Sequence, residues 1–105
     1  MESSSLLNQI KESIRTTDPT AEAYLFGSRA RSTHREDSDW DVLILVDVPV
    51  VSYDVENKFR DALYDLELAS GEIISIFIYP KDYWRESLKF SPLYSHINRD
   101  GLKLQ

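Results

Sequence analysis

The segment Trp40–Val46 constrains the fold more than any other part of the chain. It reads WDVLILV, and a run so rich in β-branched and apolar residues is typical of a strand. A second strong strand is predicted at Ile73–Tyr79, which Pro80 stops, and a weaker one at Ala21–Phe26, which Gly27 stops. These three segments predict that a β-sheet forms the centre of the fold.

Amphipathic helices are predicted around these strands. Tyr53–Ser70 carries an apolar stripe, and Gly71 follows it where a left-handed residue is often required. Ser3–Ser5 can cap a first helix, which ends in a loop at Thr16–Thr20. Shorter helical segments are predicted at Ser28–Arg31, Tyr83–Lys89 and Pro92–Arg99. This order of elements predicts an α/β (α+β) fold with a single mixed β-sheet and helices packed on one face.

Length and composition restrict the classes of function. At 105 residues the chain has the size of one domain, so we expect residues 1–105 to form a single domain. The sequence has no apolar run of about 18 residues, no secretion signal at its start and no cysteine, which together lead us to expect a cytoplasmic protein. The formal net charge of -6 argues against direct DNA or RNA binding, but a phosphate ligand accompanied by Mg²⁺ remains compatible with it.

A candidate phosphate-binding turn follows the first predicted strand. Gly27 has no side chain, so the backbone can turn sharply there and approach a ligand closely. Ser28 then begins a helical turn, whose free N–H groups and dipole favour an anion. Arg29 and Arg31 place cations beside the same turn. A plain turn with a helix cap has the same Gly-Ser letters, so this motif is informative only together with a second one.

Asp39 and Asp41 form that second motif. Two residues apart on a strand, their carboxylates point to one face and repel each other unless a cation lies between them. Mg²⁺ binds a few carboxylates together with water and substrate phosphates, so the pair is a candidate Mg²⁺ or Mn²⁺ site. The alternatives are a solvated strand end, or Asp39 capping a turn. The pair follows Gly-Ser after ten intervening residues and stands directly before an apolar strand, and this position favours the metal site.

A resemblance to the polymerase beta-like nucleotidyltransferases, especially their minimal stand-alone members, rests on GSRAR at residues 27–31 and DWDV at residues 39–42. It extends over most of the chain, to INRDG at residues 97–101. The resemblance implies the fold of that superfamily and a nucleoside triphosphate, with ATP expected, bound through Gly27 and Ser28. It also implies Mg²⁺ (or Mn²⁺) at Asp39 and Asp41, and transfer of a nucleotidyl group to a hydroxyl with these two residues as the catalytic carboxylates.

The chain departs from this family at Ser75. The family usually carries a third carboxylate on the following strand, and the matching position in this sequence is Ser75. By alternation along the strands, Ser75 shares the face of Asp39 and Asp41, opposite to the apolar residues that face the helices. Serine is a poor Mg²⁺ ligand and takes no proton from an acceptor, so this is a degenerate third-carboxylate position. Glu72 cannot replace it, because a regular strand puts Glu72 on the opposite side of the pleat.

Other polar and aromatic residues receive simpler interpretations. His34 is expected to be a solvated loop histidine, the alternative being a contact with phosphate or a role as a base. Residues 35–37 are expected to form a solvated loop. His96 has no second ligand nearby in the sequence and is assigned no metal. Phe77 and Tyr79, predicted on the open face, are expected to form an apolar floor or a subunit contact.

Several functions remain open from the sequence. The first is a Mg²⁺-dependent nucleotidyltransferase, and the resemblance to minimal members implies a small helical HEPN-type partner protein that completes the site, the pair acting as antitoxin and toxin. The second is a catalytically weakened binding module, in which Ser75 marks lost turnover. A metal-dependent phosphohydrolase would use the same carboxylates. A homo-oligomer also remains open.

Overall fold

Helices and strands alternate along the chain in the computed structural model, which describes residues 3–33, 35 and 38–105. The helices are α1 (Ser3–Thr17), α2 (Ser28–Arg31), α3 (Tyr53–Ser70), α4 (Lys81–Ser87) and α5 (Pro92–Asp100). The strands are β1 (Glu22–Phe26), β2 (Trp40–Val46), β3 (Ile74–Pro80) and β4 (Leu102–Lys103). Each predicted helix and strand is present. The bounds match the prediction for α2, α3 and β2 and differ by a few residues elsewhere.

The four strands form one mixed sheet in the order β3-β2-β1-β4. β1 pairs with β2 and with β4 in antiparallel orientation, whereas β2 and β3 run parallel. The predicted mixed sheet and α+β class are therefore confirmed. β4 was not predicted, because two residues carry no periodic signal and their pairing depends on the position of β1.

The main core lies between the sheet and the helices α1 and α3. Apolar side chains from both helices pack on one face of β1, β2 and β3; the most deeply buried include Leu6, Ile10, Ile14, Phe59, Leu63, Val42 and Ile44. Each such side chain contributes about 1.5–3 kcal/mol when it leaves water. α3 begins after Ser52, whose hydroxyl accepts a hydrogen bond from the Val55 N–H, and ends at Gly71, where φ is 74° as predicted. None of the helices among the described residues has both the length and the apolar character needed to cross a bilayer.

A second, smaller core covers part of the opposite face. Leu43 and Leu45 of β2 pack there against Trp84 of α4 and Ile97 of α5. The helices α1 and α3 thus cover one face as expected, and α4 and α5 add cover on the other. This explains why β2 is apolar on both faces after its first residues. α4 begins at Lys81 rather than at the predicted Tyr83, because the helix starts directly after Pro80 at its N-cap.

An ion pair connects β1 to α4. The Glu22 carboxylate accepts hydrogen bonds from the Arg85 guanidinium and from the Tyr24 hydroxyl, the latter at 3.1 Å. Burial alone raises the pKa of the Glu22 carboxyl, but these hydrogen bonds outweigh burial, and the pKa lies below its ordinary value. The pair therefore stabilises the fold only while Glu22 is ionised.

Matched isoleucine substitutions test the position of the main core. Ile10 is fully buried, whereas Ile73 is 58% exposed. We expect Ile10→Val to lower the free energy of unfolding by about 0.5–1.5 kcal/mol and Ile73→Val to change it by less than about 0.5 kcal/mol. Urea denaturation followed by circular dichroism measures both. Equal effects would show that α1 does not pack on the sheet as described.

The ion pair of Glu22 predicts a specific sensitivity to acid. The pKa of the Glu22 carboxyl is lowered in the folded chain. The ion pair therefore contributes fully to stability above the ordinary carboxyl pKa, and this contribution is lost as the pH falls through the folded-state pKa. We expect Glu22→Gln to lose less stability than the native chain between about pH 7 and about pH 3. Denaturation at both pH values measures this loss, with the exposed Glu86→Gln as the control. An acid loss in Glu22→Gln equal to that of the native chain would contradict the prediction.

Candidate functional site

The sheet brings Asp41 and Ser75 side by side. In the strand register Asp41 of β2 lies opposite Phe26 of β1 on one side and Ser75 of β3 on the other. Because directly paired residues share a face, all three side chains lie on the same side of the sheet. This face is opposite to the main core, as alternation predicted.

Asp39 completes this group from the residue that precedes β2. Its side chain is exposed, and the Ser75 hydroxyl donates a hydrogen bond to Asp39 Oδ2 at 3.1 Å. Ser75 therefore occupies the position expected for a third acid, but it contributes a hydroxyl. Asp39, Asp41 and Ser75 are together at one end of the sheet, as predicted.

Gly27 allows the backbone to lie directly against the Asp41 carboxylate. Its φ is 77° and its ψ is -159°, a region that is essentially restricted to glycine. A Cβ at this position would overlap Asp41 Oδ2 at a separation that real contacts do not show. The Gly27 carbonyl then accepts hydrogen bonds from the N–H groups of Ala30 and Arg31, both at 3.2 Å, which closes the short helix α2. The first motif is thereby fixed beside the second.

The beginning of α2 presents an environment for an anion. No side chain among the described residues caps this helix, and the first N–H groups of a helix have no partner within it. Ser28 is the first residue of α2, and the exposed Arg31 is the last. The Asp41 carboxylate therefore lies against the residue that precedes α2, and the charge of Arg31 acts on it. Helix N–H groups, a hydroxyl and a guanidinium close to an acid suit a phosphate bridged to the acids by a cation.

The pKa of Asp41 is raised from its ordinary value. Burial is the largest cause, the negative charge of Asp39 adds to it, and the positive charge of Arg31 opposes it. Two carboxylates that disfavour each other's ionised form gain from a cation between them. Among the described residues no cluster of three or more acidic, histidine or cysteine side chains could hold a metal. The donor set thus fits Mg²⁺ only as a two-carboxylate site, to which water and phosphate oxygens supply the remaining ligands.

Arg29 requires a correction to the sequence-based interpretation. It was expected beside the phosphate, but its side chain is only 4% exposed. Its guanidinium donates to the Ser38 carbonyl at 3.0 and 3.3 Å and lies 4.5 Å from the centre of the Trp40 ring. These contacts direct Arg29 towards the loop before Asp39. Of the two predicted cations, Arg31 is the one that remains exposed and acts on Asp41.

Glu72 is the residue whose role the sequence did not reveal. It was correctly excluded as a replacement acid, yet its carboxylate accepts a hydrogen bond from Trp40 Nε1 at 2.6 Å and pairs with Arg29 Nη2 at 3.4 Å. The only sequence signal was an acid just before an apolar strand.

The two histidines, the acids of the predicted loop before Ser38 and two aromatic residues of β3 complete the set of residues singled out in the sequence. His34, Glu36 and Asp37 lie outside the described residues, so the interpretations of these three stay predictions. His96 is exposed on α5. The Phe77 ring packs edge-on against Phe26 at 5.3 Å and stays partly exposed, whereas Tyr79 contacts Trp84 in the smaller core. A subunit contact through these residues stays a prediction.

Known proteins resemble the chain in sequence pattern and in fold. A family profile described as "Nucleotidyltransferase domain" matches residues 7–100. A solved structure described as a toxin-antitoxin with AMP-PNP has a TM-score of 0.65 and 20% identity, over 94% of this chain and 72% of the other. A mutant form of the toxin-antitoxin MntA-HpeT has a TM-score of 0.64 and 18% identity, over 94% of this chain and 72% of the other. A second mutant form has a TM-score of 0.61 and 20% identity, over 93% of this chain and 70% of the other. These identities establish the fold alone. No curated protein matches the chain significantly.

Substitution of Gly27 tests the contact between the two motifs. Gly71 is a suitable control, because it also has a positive φ but open space around its Cβ position. We expect Gly27→Ala to cost about 1–3 kcal/mol from backbone strain, with a further cost from the overlap with Asp41. Gly71→Ala should cost about 1–2 kcal/mol from the left-handed conformation alone.

The overlap can be isolated in a double mutant. In an Asp41→Ala background, Gly27→Ala should cost measurably less than in the native chain, whereas the cost of Gly71→Ala should not change. Urea denaturation measures all four values. If the losses in free energy of unfolding caused by Gly27→Ala and by Asp41→Ala simply add in the double mutant, the carboxylate does not lie against Gly27.

Proposed function

Since the chain belongs to the nucleotidyltransferase domain family, we propose that it binds a nucleoside triphosphate, with ATP as the first candidate, and transfers its nucleotidyl group to a hydroxyl. The observation that carries the proposal is the position of the Asp41 carboxylate against Gly27, with Asp39 beside it and the beginning of α2 next to both. This arrangement brings acidic metal ligands and phosphate donors to one place, as nucleotidyl transfer requires.

Five of the predicted site residues bind the ligands in this proposal. Gly27 lets the backbone approach the phosphates, and Ser28 binds them through its N–H and hydroxyl. Arg31 offsets their negative charge. Asp39 and Asp41 hold Mg²⁺ or Mn²⁺, which relieves their mutual repulsion. The solved structure described with AMP-PNP supports a triphosphate as the ligand class.

The reaction asks mainly for positioning and charge stabilisation. A bound divalent ion supplies Lewis-acid stabilisation of the phosphate charge. The acceptor oxygen forms a bond to the α-phosphorus while the bond from that phosphorus to the bridging oxygen breaks, and pyrophosphate leaves. Ser28 and the backbone of α2 hold the departing phosphates. No carboxylate stands at Ser75 to take the acceptor proton, so this proton passes to solvent or to a group that the acceptor protein brings.

A second candidate function is a binding module without efficient transfer. The specific observation in its favour is the hydrogen bond from Ser75 to Asp39, which replaces a third metal ligand with a neutral donor. The similar solved structures are described as toxin-antitoxin complexes. They support a protein partner, for which we propose a small helical HEPN-type protein in an antitoxin-toxin pair.

Calorimetric titration with Mg²⁺ and a non-hydrolysable ATP analogue tests the binding site. Loss of a residue that only supports a metal ligand weakens binding roughly 10- to 100-fold. Asp41 is proposed as a direct ligand, so we expect Asp41→Asn to weaken binding of the nucleotide analogue by more than that. The control is Asp47→Asn, an exposed acid just beyond the opposite end of β2, which should leave the affinity unchanged. Equal affinities for Asp41→Asn and Asp47→Asn would contradict the proposed site. Transfer of a labelled nucleotide to a partner protein, lost in Asp41→Asn, then separates the enzyme from the binding module.

Ser75 offers a gain-of-function prediction. Ser75→Asp restores a third carboxylate beside Asp39 and Asp41, and metal affinity rises with the number of charged ligands. We expect it to tighten Mg²⁺-dependent nucleotide binding about tenfold. Ser75→Asn, which has nearly the same shape without the charge, should not tighten it. Equal affinities of the two variants would show that Ser75 does not face the metal site.

A further inference from the structure

A partly buried polar network lies behind the site and connects its two motifs. We name it the Arg29 clamp; it comprises Arg29, Ser38, Trp40 and Glu72. Arg29 Nη2 donates to the Ser38 carbonyl at 3.0 Å and to Glu72 Oε1 at 3.4 Å. The other carboxylate oxygen of Glu72 accepts from Trp40 Nε1 at 2.6 Å. The clamp therefore connects α2, the loop before β2, β2 itself and the segment before β3.

The guanidinium group is well suited to this position. Arg29 lies 4.5 Å above the centre of the Trp40 ring, where the π face attracts a cation. Its side chain is 4% exposed, and the carboxylate of Glu72, itself 29% exposed, balances the buried charge. A planar fork can contact a carbonyl and a carboxylate at the same time, which a lysine ammonium cannot do with the same geometry.

The two acids of the site differ in how the fold holds them. Asp41 lies within β2 and is fixed by ladders to β1 and β3 on both sides. Asp39 precedes the strand, outside both ladders. The peptide unit directly before Asp39 contains the Ser38 carbonyl, which is the group that Arg29 holds. Arg29 in turn follows Ser28 directly on α2, so one side chain connects the phosphate-binding turn to the less constrained acid.

We propose that Arg29, held in place by Glu72 and Trp40, is a positioning residue that fixes Asp39 at the distance from α2 at which one cation joins the acids to a phosphate. This inference rests on the proposed function of the site and deepens it. Arg29 touches neither metal nor phosphate in this role. It acts through the backbone of Ser38, in the way that outer-shell partners orient metal ligands.

The test compares two arginine–glutamate pairs. Arg29→Lys and Glu72→Gln alter the clamp, and Trp40→Phe keeps the ring under the guanidinium but removes the bond to Glu72. Arg60→Lys and Glu56→Gln make the same changes in the exposed pair on α3, at 2.7 Å. The probe is Mg²⁺ with a non-hydrolysable ATP analogue. We expect about 10- to 100-fold weaker binding for Arg29→Lys, with a smaller loss for Glu72→Gln and Trp40→Phe, and none for the control pair.

A second comparison separates positioning from loss of stability. If Arg29 acts through Asp39, Arg29→Lys should weaken binding much less in an Asp39→Asn background than in the native chain. Hydrogen exchange should accelerate in Arg29→Lys mainly at the backbone of residues 38–41, with little change in α1 and α3. Two results would overturn the proposal: additive effects of Arg29→Lys and Asp39→Asn on the free energy of binding, or hydrogen exchange in Arg29→Lys that accelerates evenly over the whole chain.

The outcomes also distinguish this inference from the proposed function. If the native chain binds no nucleotide, the proposed function fails, and the hydrogen-exchange pattern alone decides whether the clamp holds the loop before Asp39. If the native chain binds nucleotide while Arg29→Lys matches Arg60→Lys in affinity and exchange, the proposed function stands and the positioning role of Arg29 is overturned.

Discussion

The contact between the Asp41 carboxylate and the bare backbone of Gly27 is the constraint on which the site depends. The positive φ of Gly27, in a region essentially restricted to glycine, and the absence of a Cβ there let α2 begin beside β2. A side chain at this position would overlap the Asp41 carboxylate, so either the carboxylate or the turn would have to move. The Gly-Ser turn and the Asp-x-Asp strand therefore depend on each other. Their contact places the beginning of a helix next to a partly buried negative charge.

Two different parts of the fold hold the two acids. The sheet fixes Asp41, because β2 has a partner strand on each side, and the cores on its two faces hold β2 itself. Asp39 lies outside the ladders and depends on Ser75 from one side and on the loop that Arg29 holds from the other. The electrostatic consequence is the raised pKa of Asp41, caused by burial and by Asp39. The two negative charges therefore lie close enough for the charge of Asp39 to disfavour the ionised form of Asp41.

Much of this arrangement follows from local sequence patterns. The strand Trp40–Val46 and the helix Tyr53–Ser70 have periodic apolar residues, and alternation alone places Ser75 on the face of Asp41. The role of Arg29 does not follow from such patterns, because its carboxylate partner lies 43 residues later and meets it only after the sheet has formed. The same limit applies to β4, whose two residues pair only because α5 returns the chain to β1. Local periodicity therefore predicts faces, whereas the direction of a buried charged side chain depends on tertiary contacts.

In the function we propose, one cation joins Asp39 and Asp41 to a phosphate at the beginning of α2. The most direct measurement is a crystal structure with Mn²⁺ and a non-hydrolysable nucleoside triphosphate, in which anomalous scattering locates the metal. We expect a Mn²⁺ peak about 2.0–2.2 Å from a carboxylate oxygen of each acid, a distance typical of such hard cations. A phosphate oxygen should bind the same ion, and the phosphates should lie against Ser28. A triphosphate bound elsewhere, or a metal that contacts neither acid, would contradict the proposal.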